Sequence, residues 1–209
     1  MKKLVIFDLD GTLLNTIADL AHSTNYALNK LGYPTHEIEK YNFMVGNGID
    51  KLFERALPEG EKSKENVLRV RKEFVPYYDI HNADDSRPYP GIPELLSYLQ
   101  DAGIQIAVAS NKYQAATQKL IDHYFPEIHF TAVFGQREGI KVKPDPTVVF
   151  DILEVAKVTK EEVLYVQTAA NARVTVCGVT WGFRPRAELE EFSPQYIVDT
   201  AEEIKRLIL

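Results

Sequence analysis

The chain has 209 residues, of which 45% are hydrophobic and 26% charged, so it can bury a sizeable core in one large domain or two modest ones. The net charge of −6 predicts no nucleic-acid partner, because binding a phosphate backbone needs a basic surface. No apolar run approaches the roughly 20 residues of a membrane span, and the first one, Leu4–Phe7, is too short for a secretory signal. The single cysteine, Cys177, excludes an intramolecular disulfide, and its apolar neighbours predict a buried thiol. We therefore expect a cytoplasmic protein that contacts no membrane.

Five or six short apolar runs predict buried strands, at residues 3–8, 104–110, 131–135, 163–166, 174–180 and 196–199. The runs are nearly continuous rather than alternating, which is typical of strands covered on both faces, as in a parallel sheet. Helical patterns separate most of them, at residues 93–103, 114–125, 145–158 and 201–209. Strands that alternate with helices predict an α/β fold, a doubly wound parallel sheet with a Rossmann-like core.

A helical insertion is predicted after the first strand. Helical periodicity without a good strand pattern covers residues 16–32, 36–45, 48–57 and 64–81. The stretch 84–93 is rich in proline and small polar residues, which is typical of a linker. We therefore expect an all-helical subdomain at residues 15–86, inserted into an α/β catalytic core formed by residues 1–14 and 87–209.

Polar residues that can carry chemistry follow the first three core strands. They are Asp8, Asp10, Gly11 and Thr12 after the first, Ser110 and Asn111 after the second, and Lys143 in the loop after the third. In an open parallel sheet, ligands bind beyond the carboxyl ends of the strands. These side chains should therefore converge on one crevice if the three strands are neighbours.

Two acids at a strand end suit phosphoryl transfer. One can attack phosphorus and form an aspartyl-phosphate, while the other protonates the leaving oxygen and then activates water. Because carboxylate and phosphate repel each other, a hard divalent cation is needed between them, and Mg²⁺ suits oxygen ligands. Gly11 lets the backbone approach the phosphate, Thr12 or Ser110 can donate hydrogen bonds to it, and Lys143 can offset its charge.

This constellation resembles the haloacid dehalogenase superfamily of phosphohydrolases, and most of all its phosphoglycolate phosphatase-like branch. "FDLDGT" matches the first motif of the family, D-x-D-G-T, and "VASN" matches the second, an apolar strand ending in Ser or Thr. "KVKPDP" matches the third, with its lysine before Pro-x-Pro. The likeness covers nearly the whole chain, including the helical cap after the first motif.

The resemblance implies roles for individual residues. Asp8 would be the nucleophile and Asp10 the general acid/base. Asp8 and the Asp10 carbonyl oxygen would hold Mg²⁺, while Ser110 and Lys143 would bind the phosphoryl group. Asp10 also separates the chain from the metal-independent dehalogenases, which lack an acid at that position.

Two stretches have alternative interpretations. Ser110 and Asn111 fit a helix N-cap as well as a phosphate site, and the two are compatible because a helix N-terminus binds anions. In the insertion, Gly46, Asn47 and Gly48 fit either a turn before a helix or a loop that folds over the substrate. Relatives use such a cap loop for specificity.

The fourth motif of the family, an acidic G-D-x-x-x-D type loop that completes the metal site, has no counterpart here. "VLYV" is predicted to be a central strand and "QTAANAR", residues 167–173, the helix that packs on it. The one runs straight into the other, without an acid and without the roughly 2 to 6 residues that usually connect a strand to a helix. Either an acidic loop is missing from the printed sequence between Val166 and Gln167, or it is truly deleted and the metal site is incomplete. Consecutive Cα atoms about 3.8 Å apart at this join would contradict the missing loop.

We expect a Mg²⁺-dependent phosphatase of small phosphomonoesters, with phosphoglycolate as the leading candidate by resemblance. A sugar-phosphate mutase of the same superfamily remains an alternative, because it shares the first step and differs only in returning the phosphoryl group to a sugar. A phospho-ligand-binding protein with a crippled metal site is a second alternative, favoured by the absent acids. The expected partner is a small phosphorylated metabolite, and a monomer and a dimer are equally compatible with the sequence.

Overall fold

The computed structural model describes residues 1–166 and 174–208. By its internal contacts the chain divides into two compact units, one formed by Met1–Leu14 with Pro88–Leu209 and the other by Asn15–Arg87. We call them the α/β unit and the helical unit. No helix in the described part of the chain is long and apolar enough to cross a membrane.

The described strands form two sheets. In chain order they are β1 (Leu4–Phe7), β2 (Leu14–Asn15), β3 (Arg87–Pro88), β4 (Gln105–Tyr113), β5 (Ala132–Gln136), β6 (Val163–Val166), β7 (Thr175–Val179) and β8 (Tyr196–Val198). Six of them pair in parallel in the order β5-β4-β1-β6-β7-β8, and β2 pairs with β3 in a separate two-stranded sheet. The parallel sheet with its helices confirms the predicted α/β fold class.

The helices of the described residues alternate with these strands. They are α1 (Ile17–Lys30), α2 (Tyr41–Met44), α3 (Ile49–Ala56), α4 (Lys64–His81), α5 (Ile92–Asp101), α6 (Gln114–Tyr124), α7 (Thr147–Ala156), α8 (Arg186–Glu191) and α9 (Ala201–Arg206). Short 3₁₀ helices cover Ile38–Lys40 and Lys160–Glu162. The first four α-helices lie in the helical unit and the rest in the α/β unit.

The strand order reverses at β1, which places the first motif where a doubly wound sheet binds its ligands. All four residues of β1 are fully buried, which explains why this strand is continuously apolar. Val5 of β1 lies opposite Ile106 of β4 on one side and Leu164 of β6 on the other. The ends of β1, β4 and β6 are therefore neighbours.

The helical unit has an aromatic core of its own. Phe74 of α4 lies between Phe53 of α3 and Tyr78, with ring centroids 5.0 Å apart in both pairs. All three side chains are fully buried. Helix α4 begins after Ser63, whose hydroxyl oxygen accepts a hydrogen bond from the N–H of Asn66, as an N-cap does.

Two features differ from the sequence-based expectation. Strands β2 and β3 were not predicted, because two-residue strands carry no periodicity for a sequence pattern to reveal. Strand β4 continues past Ser110 and Asn111 to Tyr113, with a shift of register against β5 between Ala109 and Tyr113. Tyr113 is therefore the N-cap residue of α6, and the N-cap interpretation of Ser110 and Asn111 is wrong.

The predicted join between Val166 and Gln167 and the predicted helix at residues 167–173 lie outside the described residues, so the Cα test made there stays a prediction. The bounds of the flanking strands are described. Only residues 167–174 separate β6 from β7, and these two strands are parallel neighbours. A parallel crossover usually takes at least about 10 to 12 residues.

Candidate active site

Asp8 lies immediately after β1, in contact with the lysine of the third motif. Its Oδ1 accepts hydrogen bonds from the N–H of Leu9 at 2.8 Å and lies 2.9 Å from Nζ of Lys143. Its own N–H donates to the carbonyl oxygen of Val166 on the neighbouring strand at 3.1 Å. The carboxylate is therefore fixed at the carboxyl end of the sheet and paired with a buried ammonium group.

The turn after Asp8 is tight, and it needs a glycine. The carbonyl oxygen of Leu9 accepts the N–H groups of Thr12, Leu13 and Leu14 at 3.0 to 3.2 Å. Gly11 has a φ of +76°, and a Cβ on it would lie 3.1 Å from the ring of Phe183. Gly11 is thus required both by its backbone conformation and by the close approach of another loop.

The loop that approaches this turn is the stretch "GVTWGFRP". The indole N–H of Trp181 donates to the carbonyl oxygen of Thr12 at 3.1 Å. A Cβ on Gly182 would clash with the carbonyl oxygen of Gly11, so glycine is needed there as well. Thr12 itself is buried. Contacts from a distant part of the sequence therefore hold the turn that follows the nucleophile candidate.

Lys143 is held from several directions. Its Nζ donates to the carbonyl oxygen of Ala109 at 2.7 Å as well as contacting Asp8. The side-chain amide of Asn111 forms a reciprocal pair with the Lys143 backbone: Oδ1 accepts the lysine N–H at 2.7 Å and Nδ2 donates to its carbonyl oxygen at 3.1 Å. Asn111 therefore positions the loop that carries Lys143, and its predicted contact with phosphate stays a prediction.

Ser110 and Lys112 lie on either side of Asn111 on β4, and both are buried. The hydroxyl oxygen of Ser110 accepts the N–H of Lys112 at 3.1 Å. Nζ of Lys112 lies 3.3 Å from Oδ1 of Asp10. The sequence analysis did not include Lys112 among the candidate site residues. Its position directly after the second motif, in "VASNK", was the one signal that could have identified it.

The structure thus brings each acid of the first motif together with a lysine from elsewhere in the chain: Asp8 with Lys143 of the loop after β5, and Asp10 with Lys112 of β4. Burial raises the pKa of the Asp8 carboxyl group, and the Lys143 ammonium group opposes that rise by favouring the carboxylate. Nζ of Lys143 also lies 5.9 Å from the ring centroid of the buried Tyr165, close enough for a cation–π contact.

The donors at this site fit Mg²⁺. A carboxylate on Asp8 and a carbonyl oxygen on Asp10 are hard oxygen ligands, and Mg²⁺ is usually bound by one or two carboxylates together with substrate phosphate and water. Residues 167–173 contribute no acid to complete the set, since their sequence is QTAANAR.

The segment of Gly46, Asn47 and Gly48 lies in the helical unit, and it forms a turn before a helix. All three residues have positive φ angles, of 118°, 62° and 89°, and α3 begins directly afterwards at Ile49. The Arg55 guanidinium group donates to the carbonyl oxygen of Gly46 and to Oδ1 of Asn47, both at 3.1 Å. The expected role of this loop in substrate specificity stays a prediction.

The helical unit also contains a cluster that could hold a cation, in which ligand atoms of Asp19, His22 and Asp85 lie within 4.8 Å of one another. Asp19, however, is already engaged. Its two carboxylate oxygens accept the N–H of Asp85 at 2.9 Å and the N–H and hydroxyl of Ser86 at 2.8 and 2.6 Å. Its role is therefore structural, because it ties the start of α1 to the segment before β3.

Comparison with known proteins identifies the family. Residues 5–179 match the model of the family described as haloacid dehalogenase-like hydrolase. That match spans most of the chain and includes the first three motifs, so the chain belongs to the haloacid dehalogenase-like hydrolases. The predicted family and its hydrolase class are confirmed.

The individual relatives point to one branch of that family. The chain is 30% identical over 221 residues to a phosphoglycolate phosphatase of Mesorhizobium japonicum, covering 99% of this chain and 97% of that protein. It is 29% identical over 218 residues to a phosphoglycolate phosphatase of Vibrio parahaemolyticus, covering 99% and 96%. A crystal structure of a candidate phosphoglycolate phosphatase from Lactobacillus delbrueckii superimposes with a TM-score of 0.92 at 32% identity, covering 100% and 99%. The chain is therefore a phosphatase-type enzyme similar to these proteins.

Proposed function

We propose that the protein is a Mg²⁺-dependent phosphatase that hydrolyses small phosphomonoesters through an aspartyl-phosphate on Asp8. The observation that carries this proposal is the pairing of two acids at the end of β1 with two buried lysines. A carboxylate held at a strand end is a competent nucleophile towards phosphorus, and buried cations next to it favour the bound anion.

The residues of this chain would divide the reaction as follows. A carboxylate oxygen of Asp8 forms a bond to phosphorus while the bond to the leaving oxygen breaks, and that oxygen takes the electron pair together with a proton from Asp10. Water then attacks phosphorus and gives a proton to Asp10, while the bond between phosphorus and the Asp8 oxygen breaks, its electron pair stays on the Asp8 carboxylate, and inorganic phosphate leaves. Bound Mg²⁺ supplies charge neutralisation between the carboxylate and the phosphoryl group. Lys143, with Ser110 and the backbone at Gly11 and Thr12, binds the phosphoryl oxygens.

The proposed substrate is a small phosphorylated acid, with phosphoglycolate first. This choice rests on the relatives, several of which are named phosphoglycolate phosphatases. We also propose that residues 1–14 and 87–209 form the catalytic core and that residues 15–86 are the cap that selects the substrate. Division of the chain into the α/β unit and the helical unit supports this assignment.

The test is hydrolysis of phosphoglycolate, of a panel of other phosphorylated metabolites and of p-nitrophenyl phosphate, each with Mg²⁺ and with a chelator. We expect Mg²⁺-dependent release of inorganic phosphate, with phosphoglycolate among the best substrates. Conversion of one sugar phosphate into its isomer without release of phosphate would instead identify a mutase.

A phospho-ligand-binding protein without turnover is the second candidate, and one observation favours it. Residues 167–173 contain no acid, so the family's last metal ligands are absent from the sequence. Mass spectrometry of the intact purified protein distinguishes a chain that contains an acidic loop from one that lacks it. An additional loop would raise the mass above 23.8 kDa by the mass of several residues. Binding of phosphoglycolate without any phosphate release would support the second candidate.

A further inference from the structure

We propose that Lys112 is the positioning residue for Asp10, and that it acts on the leaving group through that carboxylate. This inference rests on the proposed function. It starts from the contact between Nζ of Lys112 and Oδ1 of Asp10 at 3.3 Å, in which the lysine side chain is only 4% exposed and the aspartate 16% exposed. An ion pair shielded from water in this way is screened little by solvent, so it restrains the carboxylate more firmly than a surface pair would.

The backbone of Lys112 is itself fixed on both sides. Its N–H donates to the hydroxyl oxygen of Ser110 at 3.1 Å, and its carbonyl oxygen accepts the hydroxyl of Thr117 at 3.1 Å. Strand β5 approaches so closely that a Cβ on Gly135 would lie 2.6 Å from the Lys112 carbonyl oxygen and 2.6 Å from Oγ1 of Thr117. Because the backbone of Lys112 is fixed and its side chain is buried, little further conformational entropy is lost when its ammonium group contacts Asp10.

The two lysines contact different acids, and this assigns them different roles in the proposed reaction. Lys143 pairs with Asp8, the acid that forms a bond to phosphorus, whereas Lys112 pairs with Asp10, the acid that serves the leaving oxygen. Lys112 transfers no proton in this proposal. It holds the Asp10 carboxyl group where the proton passes to the leaving oxygen as the bond between that oxygen and phosphorus breaks. A group displaced from this position loses much of its catalytic effect.

If Lys112 acts through Asp10, the effect of replacing Lys112 should depend on how basic the leaving oxygen of the ester is. An alkyl phosphate such as phosphoglycolate releases a strongly basic oxygen that needs the proton from Asp10, whereas p-nitrophenyl phosphate releases a weakly basic one that does not. The constant kcat/KM reports the steps up to departure of this group, so it excludes the later hydrolysis of the phosphoenzyme.

We measure kcat/KM of both esters for wild type, Lys112→Met and the control Lys119→Met, an exposed lysine of α6.

For Lys112→Met, kcat/KM should fall by about tenfold or more on phosphoglycolate and by less than about threefold on p-nitrophenyl phosphate. The inhibition constant of inorganic phosphate should change by less than about threefold, because Lys112 serves Asp10 rather than the phosphoryl group. Lys119→Met should behave as wild type with both esters. Equal losses on both esters, or phosphate inhibition weakened by more than about tenfold, would overturn the assignment, the latter because it identifies a phosphate ligand.

A second comparison covers the case in which Lys112→Met does not fold. The double variant Asp10→Asn/Lys112→Met removes both charges of the pair, so it leaves no buried charge without its partner. If Lys112 acts only through Asp10, the double variant should match Asp10→Asn on phosphoglycolate within about threefold. A further loss beyond that range would overturn the proposal. Absence of turnover by wild type on every ester would overturn the proposed function and the role of Lys112 with it, whereas turnover with equal losses overturns the role of Lys112 alone.

Discussion

The α/β unit and the helical unit use aspartates in different ways. In the α/β unit, Asp8 and Asp10 face buried ammonium groups of lysines, so charge meets charge. In the helical unit, the buried Asp19 accepts hydrogen bonds from two backbone N–H groups and a hydroxyl. Its carboxylate therefore holds a segment of the chain in place. In this protein, the aspartates proposed to act in catalysis contact lysine side chains that can also hold a ligand, whereas the aspartate that ties two segments together contacts backbone N–H groups and a hydroxyl.

The largest effect is expected at Asp8. Asp8→Asn should abolish turnover and leave the fold intact, because the change is nearly isosteric and removes the nucleophile. We expect kcat to fall by more than the roughly 10²- to 10⁴-fold that loss of proton transfer costs, because a covalent step is lost. Steady-state phosphate release measures this, and circular dichroism checks the fold. Asp122→Asn, an exposed site on α6, is the matched control. A variant with more than a hundredth of the activity would exclude Asp8 as the nucleophile.

Asp10 should give the next largest effect. Asp10→Asn should lower kcat by roughly 10²- to 10⁴-fold, the usual contribution of general acid–base catalysis. Affinity for Mg²⁺, measured by calorimetry, should change little, because the proposed ligand at this position is the backbone carbonyl oxygen. Weaker metal binding combined with a normal rate at saturating Mg²⁺ would show that the roles of the two acids are assigned wrongly.

Asp19 should affect stability instead. In Asp19→Asn, an amide nitrogen replaces one of the two oxygens that accept hydrogen bonds from Asp85 and Ser86, so at least one buried donor loses its acceptor. We expect the free energy of unfolding to fall by about 1 to 3 kcal/mol, the usual cost of an unsatisfied buried group. Urea denaturation measures it. The control is Asp50→Asn, a half-exposed partner of Arg71, which should cost less than about 1 kcal/mol. Equal losses in the two variants would contradict the architectural role of Asp19.

The last prediction concerns the chemical reactivity of Cys177 rather than turnover or stability. Burial raises the pKa of its thiol to about 12, so at pH 8 only about one molecule in 10⁴ carries the reactive thiolate. Iodoacetamide should therefore modify the folded protein far more slowly than the chain unfolded in urea, as followed by mass spectrometry. Similar rates in the two states would show that the thiol is accessible and that its strand opens readily.

Local patterns were enough to predict several parts of this molecule. Continuous apolar runs predicted the six strands of the main sheet, because strands buried on both faces need apolar residues throughout. The first motif predicted that Asp8 and Asp10 end β1, and the positions of Ser110 and Lys143 predicted that they meet there, since the carboxyl ends of parallel strands share one edge. The Asp8–Lys143 contact agrees with this expectation.

Other features required contacts between residues distant in the chain. The sequence marked Lys112 only by its position directly after the second motif, and its contact with Asp10 depends on β4 extending past Ser110. The contact of Asn111 also could not be predicted from local sequence, because its side-chain amide binds the backbone of Lys143, 32 residues away. Spacing along the sequence predicts which residues share a strand end, but a side chain's partner depends on which chain segment packs beside it.

By itself, the sequence predicted the parallel α/β sheet, the helical insertion and the acid pair after the first strand, because hydrophobic periodicity and short motifs are local properties. Tertiary structure alone decided which lysine contacts which acid, that Gly11 and Gly182 lie where a side chain would be strained, and that Asp19 accepts hydrogen bonds from Asp85 and Ser86. The physical reason is that charge pairing, steric clearance and hydrogen-bond saturation depend on distances between segments far apart in the chain, and folding is what sets those distances.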